Sequence, residues 1–281
     1  MKIITGSILT ILVLVSWPLA SANVLAAPAS SASKEPLEIS AEGSLEWHRN
    51  INKYIAQGDA LAKQGDTVIK AKTLEAFYRE PKKGGMEIWK IIANGQVEIT
   101  APNGKVYGDH AVYNLDESYA VMTGKSLRMD SDGQSLTAQD RFEYYITENK
   151  LIAIGDTKIT RPTETLQSDT MIAWFKEGES SRELWRAEAQ GHVVITTEDE
   201  SISGQKGEYR KEDNKAEISG GVVIRRGPNI LEGTRAELDL LTNISRIFGG
   251  KDAASTGDSA APSDTRARGT FYPGSEKKPK Q

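Results

Sequence analysis

Residues 91–113 read IIANGQVEITAPNGKVYGDHAVY and contain the pattern that decides the fold. A short apolar stretch ends at Gly95, and after it apolar residues alternate with polar ones, at Val97 and Ile99. Alternation with a period of two is typical of a β-strand with one buried face. A second small residue, Gly108, follows 13 positions after Gly95. The segment is therefore predicted to form a pair of short strands with turns at its small residues.

The same pattern recurs along the chain. The glycines that close a short apolar stretch are Gly58, Gly95, Gly124, Gly155, Gly191, Gly220 and Gly249. A second small residue follows the first six of them after 13 or 14 positions, at Ala71, Gly108, Ala138, Ser168, Gly204 and Gly233. A repeat with a period of about 29 residues indicates a supersecondary unit that stacks on copies of itself. We predict an all-β protein built from repeated two-stranded units.

Composition divides the chain into four regions. Residues 1–27 carry one lysine, an apolar run and small residues at its end, which predicts a cleaved secretory signal peptide, with a retained anchor as the alternative. Residues 28–36, rich in Ala, Ser and Pro, are predicted to be a linker. The repeats fill residues 37–250. Residues 251–281 are predicted to be a disordered tail, in which 265–272 could add one more strand.

Charge and residue content exclude several classes of function. The 281 residues carry a net charge of -4, so there is no basic field to attract nucleic acid. The chain has no cysteine, which removes disulfides, thiol nucleophiles and Cys-ligated zinc. Only three histidines are present, and none has the spacing of a metal site. Because no catalytic motif is found either, we predict no enzyme activity, no catalytic residue, no metal and no cofactor.

Alternation predicts which side chains face the interior. The inward set comprises Val97, Ile99, Tyr113, Leu127, Met129, Ile159, Val193, Ile195, Tyr209, Val222 and Ile224. Aromatic residues also recur at a similar place in the units, as Tyr78, Tyr113, Tyr144, Trp174 and Tyr209, and predict a ladder of stacked rings. Such a surface suits either a closed core or an apolar trough for acyl chains, and the pattern leaves both open.

The motif Ala-x-Gly-x-Val-x-Ile, followed by a small residue and an Ala-x-Tyr element, resembles a known family. The clearest instances are Ala93–Ile99 leading to Gly108–Tyr113, and Ala189–Ile195 leading to Tyr209. They are similar to the organic-solvent-tolerance (OstA-like) domain of LptA-type lipopolysaccharide export proteins. The resemblance covers roughly residues 37–250.

The resemblance implies a β-jellyroll with an apolar inner trough that binds the acyl chains of lipid A. It also implies a periplasmic location and copies that associate end to end. The expected partners are lipopolysaccharide, the subunits of the inner-membrane lipopolysaccharide ABC transporter and the outer-membrane translocon, which the protein would bridge. The inward set named above would then be the lipid-binding site.

Three alternatives stay open. A membrane-anchored, transporter-side subunit of the same pathway would retain residues 1–27. A secreted β-helix enzyme acting on polysaccharide would need a cluster of charged residues on one face of successive strands. A structural scaffold would stack with partners but bind no lipid.

Overall fold

The computed structural model describes residues 36–81, 85–102, 104–131, 133–177, 182–239, 241–242, 244–250 and 266–272. These residues form one antiparallel sheet of 18 strands, which confirms the all-β class predicted from the repeats. The only helical segment among them is a short 3-10 helix, Arg49–Ile51. No helix in the described ranges is long and apolar enough to cross a membrane. The predicted signal peptide and the linker up to residue 35 lie outside the described residues.

The strands are numbered here in the order in which they occur along the chain. They are β1 Glu38–Ser40, β2 Ser44–His48, β3 Lys53–Gln64, β4 Thr67–Arg79, β5 Glu87–Ala101, β6 Gly104–Asn114, β7 Tyr119–Thr123, β8 Leu127–Ser131, β9 Gln134–Ala138, β10 Arg141–Tyr145, β11 Lys150–Thr160, β12 Glu164–Glu177, β13 Arg182–Thr197, β14 Glu200–Arg210, β15 Lys215–Arg226, β16 Asn229–Asp239, β17 Ile244–Phe248 and β18 Arg268–Thr270. The tail predicted after residue 250 therefore contains one ordered strand, β18.

Every second long strand has a bend in its middle, at one of the repeated glycines. Where β5 pairs with β6, the register shifts between Asn94 and Val97 and then continues. Gly95 and Gln96 both have positive φ, at 77° and 50°. Two left-handed residues inside a strand form a bulge that bends it, and glycine adopts this conformation at little cost. The prediction of a turn at Gly95 is therefore wrong: the strand continues through the glycine, which makes it longer than predicted.

At four places the bend separates the strand into two. The first part of β6, before Gly108, pairs with β8, and the part after Gly108 pairs with β7. In the same way β3 pairs with β2 and β1, β11 with β10 and β9, and β16 with β17 and β18. Each pair of short strands thus takes the place of one long, bent strand.

The bends divide the sheet into two half-sheets that face each other. One contains β2, β7, β10, β17 and the matching halves of the long strands, and we call it the tyrosine half-sheet. The other contains β1, β8, β9, β18 and the remaining halves, and we call it the aliphatic half-sheet. Leu74 and Phe142 from the first belong to the same buried cluster as Val106 and Leu127 from the second. The inner faces of the half-sheets therefore pack together.

A line of buried residues runs along the bends, and we call it the corner column. Its members are Ala60, Val97, Leu127, Thr157, Val193 and Val222, each 1% exposed. Their cross-strand partners are the second small residues of the repeat, Ala71, Gly108, Ala138, Ser168, Gly204 and Gly233. The spacing of 13 or 14 residues in the sequence is the number of residues from a bend glycine, around the hairpin turn, to the small residue that pairs with the corner column.

Close approach of the next strand explains why the partner position is small. A Cβ atom added at Gly108 would lie 2.6 Å from the Met122 Cγ, and one added at Gly204 would lie 2.5 Å from the Ile218 Cγ2. Met122 and Ile218 each stand two residues before the next bend glycine. The side chain before one bend therefore fills the space that the small residue leaves, which links successive units.

This packing predicts unequal effects of two substitutions on β14. We expect Gly204→Ala to lower the free energy of unfolding by about 1–3 kcal/mol, because the new methyl overlaps Ile218. Gly207→Ala is the matched control: its Cβ would lie 3.6 Å from Ala189 and Val193, an ordinary contact. Chemical denaturation measures both values. Equal effects would contradict the role given to the corner column.

Candidate functional site

An unbroken line of aliphatic side chains covers the inner face of the aliphatic half-sheet. Each member is the cross-strand partner of the next, from β4 to β16. We call this the aliphatic row, and it consists of Ile69, Ile99, Val106, Met129, Leu136, Ile159, Leu166, Ile195, Ile202, Ile224 and Leu231. No polar side chain interrupts these paired positions. The row is a continuous apolar surface across the strands.

The tyrosine half-sheet presents larger and smaller side chains in turn. One inner line runs through Ile91, Tyr113, Ala120, Tyr144, Leu151, Ala173, Ala187, Tyr209, Ala216 and Leu238. The neighbouring inner line contains Ala93, Ala111, Ala153, Ala189 and Gly207. These small residues leave room between the half-sheets, while the tyrosines and leucines reach across it.

Two apolar cavities lie between the half-sheets. The larger has a volume of about 160 Å³ and is lined by Ile159, Ile195 and Ile224 on one side and by Ala187 and Tyr209 on the other. The smaller has a volume of about 50 Å³, with Ile69 and Ile99 facing Ile91 and Tyr113. Both therefore have walls from the two half-sheets and are suited to hydrocarbon.

Buried aromatic residues stand between the two cavities. Phe142 and Tyr144 lie on β10, between β7, which lines the smaller cavity, and β11, which lines the larger. Both rings are buried. The interior is thus two chambers in this structure, and the partition coincides with the region where the strands are broken.

All eleven residues predicted to face inward do so, but in three different places. Ile99, Met129, Ile159, Ile195 and Ile224 belong to the aliphatic row. Tyr113 and Tyr209 lie opposite, on the tyrosine half-sheet. Val97, Leu127, Val193 and Val222 belong to the corner column, of which Val193 also lines the larger cavity.

The structure corrects one aromatic position and adds residues that sequence reasoning missed. Trp174 lies on the outer face, because Ala173 takes the inward position in its strand and side chains alternate. The prediction of a continuous ladder of stacked rings is wrong, because Ala120 separates Tyr113 from Tyr144, and Leu151, Ala173 and Ala187 separate Tyr144 from Tyr209. The missed residues are the cavity-lining alanines, including Ala153 and Ala189. Their signal is the alanine two residues before a bend glycine.

The outer face of the tyrosine half-sheet carries a line of glutamates in its C-terminal strands, where the earlier strands carry mostly aliphatic side chains. There Glu188, Glu208, Glu217 and Glu237 are successive cross-strand partners. Like charges in this arrangement repel one another. Basic residues offset the repulsion: Arg235 lies 2.9 Å from Glu217 and 3.6 Å from Glu237. From β5 to β12 the same outer line is mostly aliphatic, with Ile92, Val112, Val121, Ile152 and Ile172.

The interior also affects the ionisation of its tyrosines. Burial, with a smaller contribution from Tyr144, raises the pKa of Tyr113 to about 12. Burial likewise raises the pKa of Tyr209. A phenol whose pKa rises on burial lies in a poorly hydrated environment, since water would stabilise the phenolate. The described residues include no group of three or more acidic or histidine side chains placed to hold a metal ion.

The raised pKa predicts an alkaline loss of stability. Above pH 10 the unfolded state can release the Tyr113 proton, while the folded state retains it until about pH 12 because its pKa is raised. The free energy of unfolding therefore decreases as the pH rises. We expect Tyr113→Phe to reduce the loss between pH 8 and pH 11 by about 1.4 kcal/mol. Denaturant unfolding at both pH values measures it. An unchanged pH dependence would show that Tyr113 is hydrated.

Comparison with known proteins gives a sequence match and a weaker structural one. A sequence profile described as the LptA and LptD N-terminal domain lipopolysaccharide transport protein family matches residues 38–148 and again residues 137–244. The chain matches no curated protein.

Among solved structures, the chain is similar to LptH of Pseudomonas aeruginosa, described as the LptA-homologous periplasmic component of the lipopolysaccharide transport device. The two share 11% identity with a TM-score of 0.22, and the match covers 86% of this chain and 98% of LptH. The family rests on the sequence profile alone.

Proposed function

Since the chain belongs to the family of LptA and LptD N-terminal domain lipopolysaccharide transport proteins, we propose that it carries lipopolysaccharide by shielding the acyl chains of lipid A between its half-sheets. The observation that supports this most directly is the aliphatic row, which continues without a polar interruption across eleven strands. In this proposal the chain acts as a carrier and performs no catalysis.

The hydrophobic effect provides the reason for such a surface. Moving one methylene from water into an apolar environment is favourable by about 0.8 kcal/mol. A lipid with several long acyl chains therefore faces a large barrier to crossing an aqueous compartment unshielded. An apolar trough removes most of that barrier, while the sugars and phosphates of the lipid can stay in water.

The cavity volumes imply that the half-sheets separate when they take up lipid. The larger cavity, at about 160 Å³, is close to the size of an engineered protein cavity that binds one benzene molecule. Several acyl chains need far more space. Because every long strand crosses from one half-sheet to the other at the corner column, we propose that the half-sheets open about this line.

This opening gives the predicted lipid-binding residues different roles. Members of the aliphatic row, such as Ile159 and Ile195, would contact acyl chains directly, as would Tyr113 and Tyr209 from the opposite wall. Val97, Leu127 and Val222 are almost fully buried in the corner column. In the proposal they keep the bend packed while the walls separate.

We further propose a periplasmic location and a bridging role. Residues 1–27 would direct export and be removed, and residues 28–36 and 251–281 would flank the carrier domain, 37–250. The protein would connect the subunits of the inner-membrane ABC transporter to the outer-membrane translocon. If residues 1–27 are retained, the chain would instead be a transporter-side subunit, and N-terminal sequencing of the exported protein distinguishes the two.

The carrier proposal predicts which side chains contact lipid in cells. We expect a photoreactive residue at Ile159 or Ile195 to form adducts with lipopolysaccharide in a Gram-negative host, because these positions line the larger cavity. Lys158 and Val194 are the matched controls, because they stand directly before Ile159 and Ile195 in the sequence and therefore point outward. Immunoblotting for lipopolysaccharide after irradiation measures the adducts.

The controls decide between the alternatives. Adducts at inward and outward positions alike would indicate nonspecific lipid contact. No adducts at any position, in protein that is folded and exported, would contradict the carrier function and favour the scaffold or the polysaccharide enzyme.

We also propose that copies associate end to end through the two edges of the sheet. β1 and β2 form one edge, where Leu45 is 56% and Trp47 47% exposed; β17 and β18 form the other, where Ile244 is 46% exposed. β17 and β18 run from the tyrosine to the aliphatic half-sheet, and β1 and β2 run in the reverse direction. Placing these edges together continues the antiparallel alternation.

Continuation of the inner and outer lines fixes the register of this contact. On the inner face of one copy, a line of cross-strand partners ends with Ala236 and Ile247. It continues into the line of the second copy that begins with Leu45 and Ala56, so that Ile247 lies opposite Leu45. Arg246 then lies opposite Glu46 of the second copy, so opposite charges pair on the outer face. Trp47 of the second copy lies opposite Ser245, whose small side chain leaves room for it.

The register predicts a specific crosslink. Because the protein has no cysteine of its own, the double variant Leu45→Cys, Ile247→Cys should form disulfide-linked dimers and longer ladders under mild oxidation. The matched control is Glu46→Cys with Ile247→Cys, which places one cysteine on the opposite face, and we expect at least tenfold less crosslinking. Non-reducing electrophoresis measures both. Equal crosslinking would contradict this register.

A further inference from the structure

A polar pocket opens at the rim of the aliphatic half-sheet, where β6 and β9 begin and β8 and β11 end. It has a volume of about 620 Å³ and is open to solvent, and we call it the rim pocket. Gly104 is part of its lining, and a Cβ atom added there would overlap the Asp130 carbonyl oxygen. The lack of a side chain at this position lets the ends of β6 and β8 lie close together.

The rim pocket and the larger cavity share part of their lining. Ser131, Gln134 and Ser135 contribute to both. Ser131 and Gln134 are cross-strand partners, and they lie two residues beyond Met129 and Leu136 of the aliphatic row, towards the rim. The inner face therefore changes from hydrocarbon to polar groups within one step along β8 and β9.

Arg161 continues this change on the neighbouring strand. It follows Ile159 of the aliphatic row by two residues, and its backbone N–H donates to the Glu164 carbonyl oxygen at 2.9 Å. Its guanidinium donates from Nε to the Gln134 Oε1 at 3.0 Å and from Nη1 to the Glu164 Oε1 at 2.5 Å. Only 16% of the side chain is exposed. A cation is therefore held at the boundary between the apolar cavity and the rim pocket.

Basic side chains outnumber acidic ones in the rim pocket. Among the described residues that line it, Lys105, Arg128 and Arg161 are basic and Asp130 alone is acidic. The Arg128 Nε lies 2.7 Å from the Asp130 Oδ1, and the Lys105 Nζ lies 2.9 Å from the Glu98 Oε1. Lys105 and Arg128 are exposed, and exposed ion pairs contribute little to stability. Arginine and lysine have five and three N–H donors, so these contacts do not exhaust them.

A later turn of the same rim has the opposite charge. The residues between β13 and β14 are Glu198 and Asp199, and β14 begins with Glu200. An anion at the rim of the aliphatic half-sheet would be repelled by this turn and attracted to the rim pocket. The two ends of the larger cavity mouth therefore differ in the ligand group that they favour.

We propose that the rim pocket binds a phosphate group of the lipid headgroup while the acyl chains of the same molecule lie in the larger cavity. This inference rests on the proposed carrier function and names the group that the mouth of the cavity recognises. Arginine suits this role because its planar fork can bind two phosphate oxygens at once, and lysine adds a point charge. The headgroup would then lie over the ends of β8, β9 and β11, still in contact with water.

The two exposed cations of the pocket provide the test, because Arg161 is mostly buried and its removal could disturb the turn. We expect Lys105→Gln with Arg128→Gln to raise the dissociation constant for diphosphorylated lipid A by about tenfold or more. The constant for lipid A stripped of its phosphates should change by about twofold at most, because the cavity is intact. Calorimetric titration of the purified protein with each detergent-dispersed lipid measures both constants.

The matched control removes the same charge from the outer face of the same half-sheet. It is Lys63→Gln with Arg225→Gln, at two exposed positions outside the rim pocket. We expect it to change both constants by about twofold at most, since separated surface charges are largely screened by salt. Thermal unfolding verifies that both double variants remain folded.

The two lipids separate the outcomes. An equal loss of affinity for both would show that the substitutions disturb the cavity, and no loss for either would show that the pocket does not bind phosphate. An equal loss in the control variant would show a general effect of charge. Each of these results would overturn the proposal.

Inorganic phosphate tests whether the pocket and the cavity act on one molecule. We expect it to compete with diphosphorylated lipid A and to leave the binding of the stripped lipid unchanged. If inorganic phosphate binds to the natural chain without displacing the phosphorylated lipid, the pocket is a site for a free anion and the proposal is wrong.

Failure here is distinguishable from failure of the carrier function. If the natural chain binds both lipids equally well, the rim-pocket proposal falls and the carrier function stands. If it binds neither lipid and forms no adducts at Ile195, the carrier function falls, and this inference falls with it.

Discussion

The bend at the repeated glycine of every second long strand is the constraint on which the rest of the structure depends. Two successive residues with positive φ stand there in β3, β5, β11, β13 and β15, so one sheet can turn back and face itself. The bends must all lie in line, since a shift of one residue in any strand would exchange its inner and outer side chains. The corner column and its small partners keep that alignment. The aliphatic row, the cavities and the edges all follow from it.

Much of this organisation is predictable from the sequence, and the exceptions have physical causes. Alternation identifies the inward side chains because a strand has two faces. It does not show that Gly95 lies inside a strand. A bulge and a turn both need a residue with positive φ, so a glycine after an apolar stretch is equally consistent with either. Spacing predicts Trp174 among the inward aromatic residues, but the alternation of side chains along β12 places Ala173 inside. The alanines that line the cavity were missed because a small residue can equally indicate close packing or open space.

The family profile matches the chain twice in succession. The two matches overlap at residues 137–148, which contain all of β10 and the partition formed by Phe142 and Tyr144. All the residues that line the smaller cavity lie in the first match, and one of them, Phe142, also lies in the second. Most of the residues that line the larger cavity lie in the second match. The aliphatic row nevertheless passes through both parts without a break. In the proposed carrier, an acyl chain that moves from one strand to the next would exchange one aliphatic contact for a similar one, so no position along the row would hold it strongly.

Each ladder joins strands that follow one another in the chain, or that are separated only by the other halves of broken strands. Pairing a new strand therefore requires closing only a short loop, and topologies of this kind fold with small entropic barriers for their size. A chain that is synthesised N-terminus first can add its strands in the order of their synthesis. Stability would then grow strand by strand, as in repeat proteins. The same property lets the length of such a protein change by whole repeats in evolution, because an inserted pair of strands meets only its immediate neighbours.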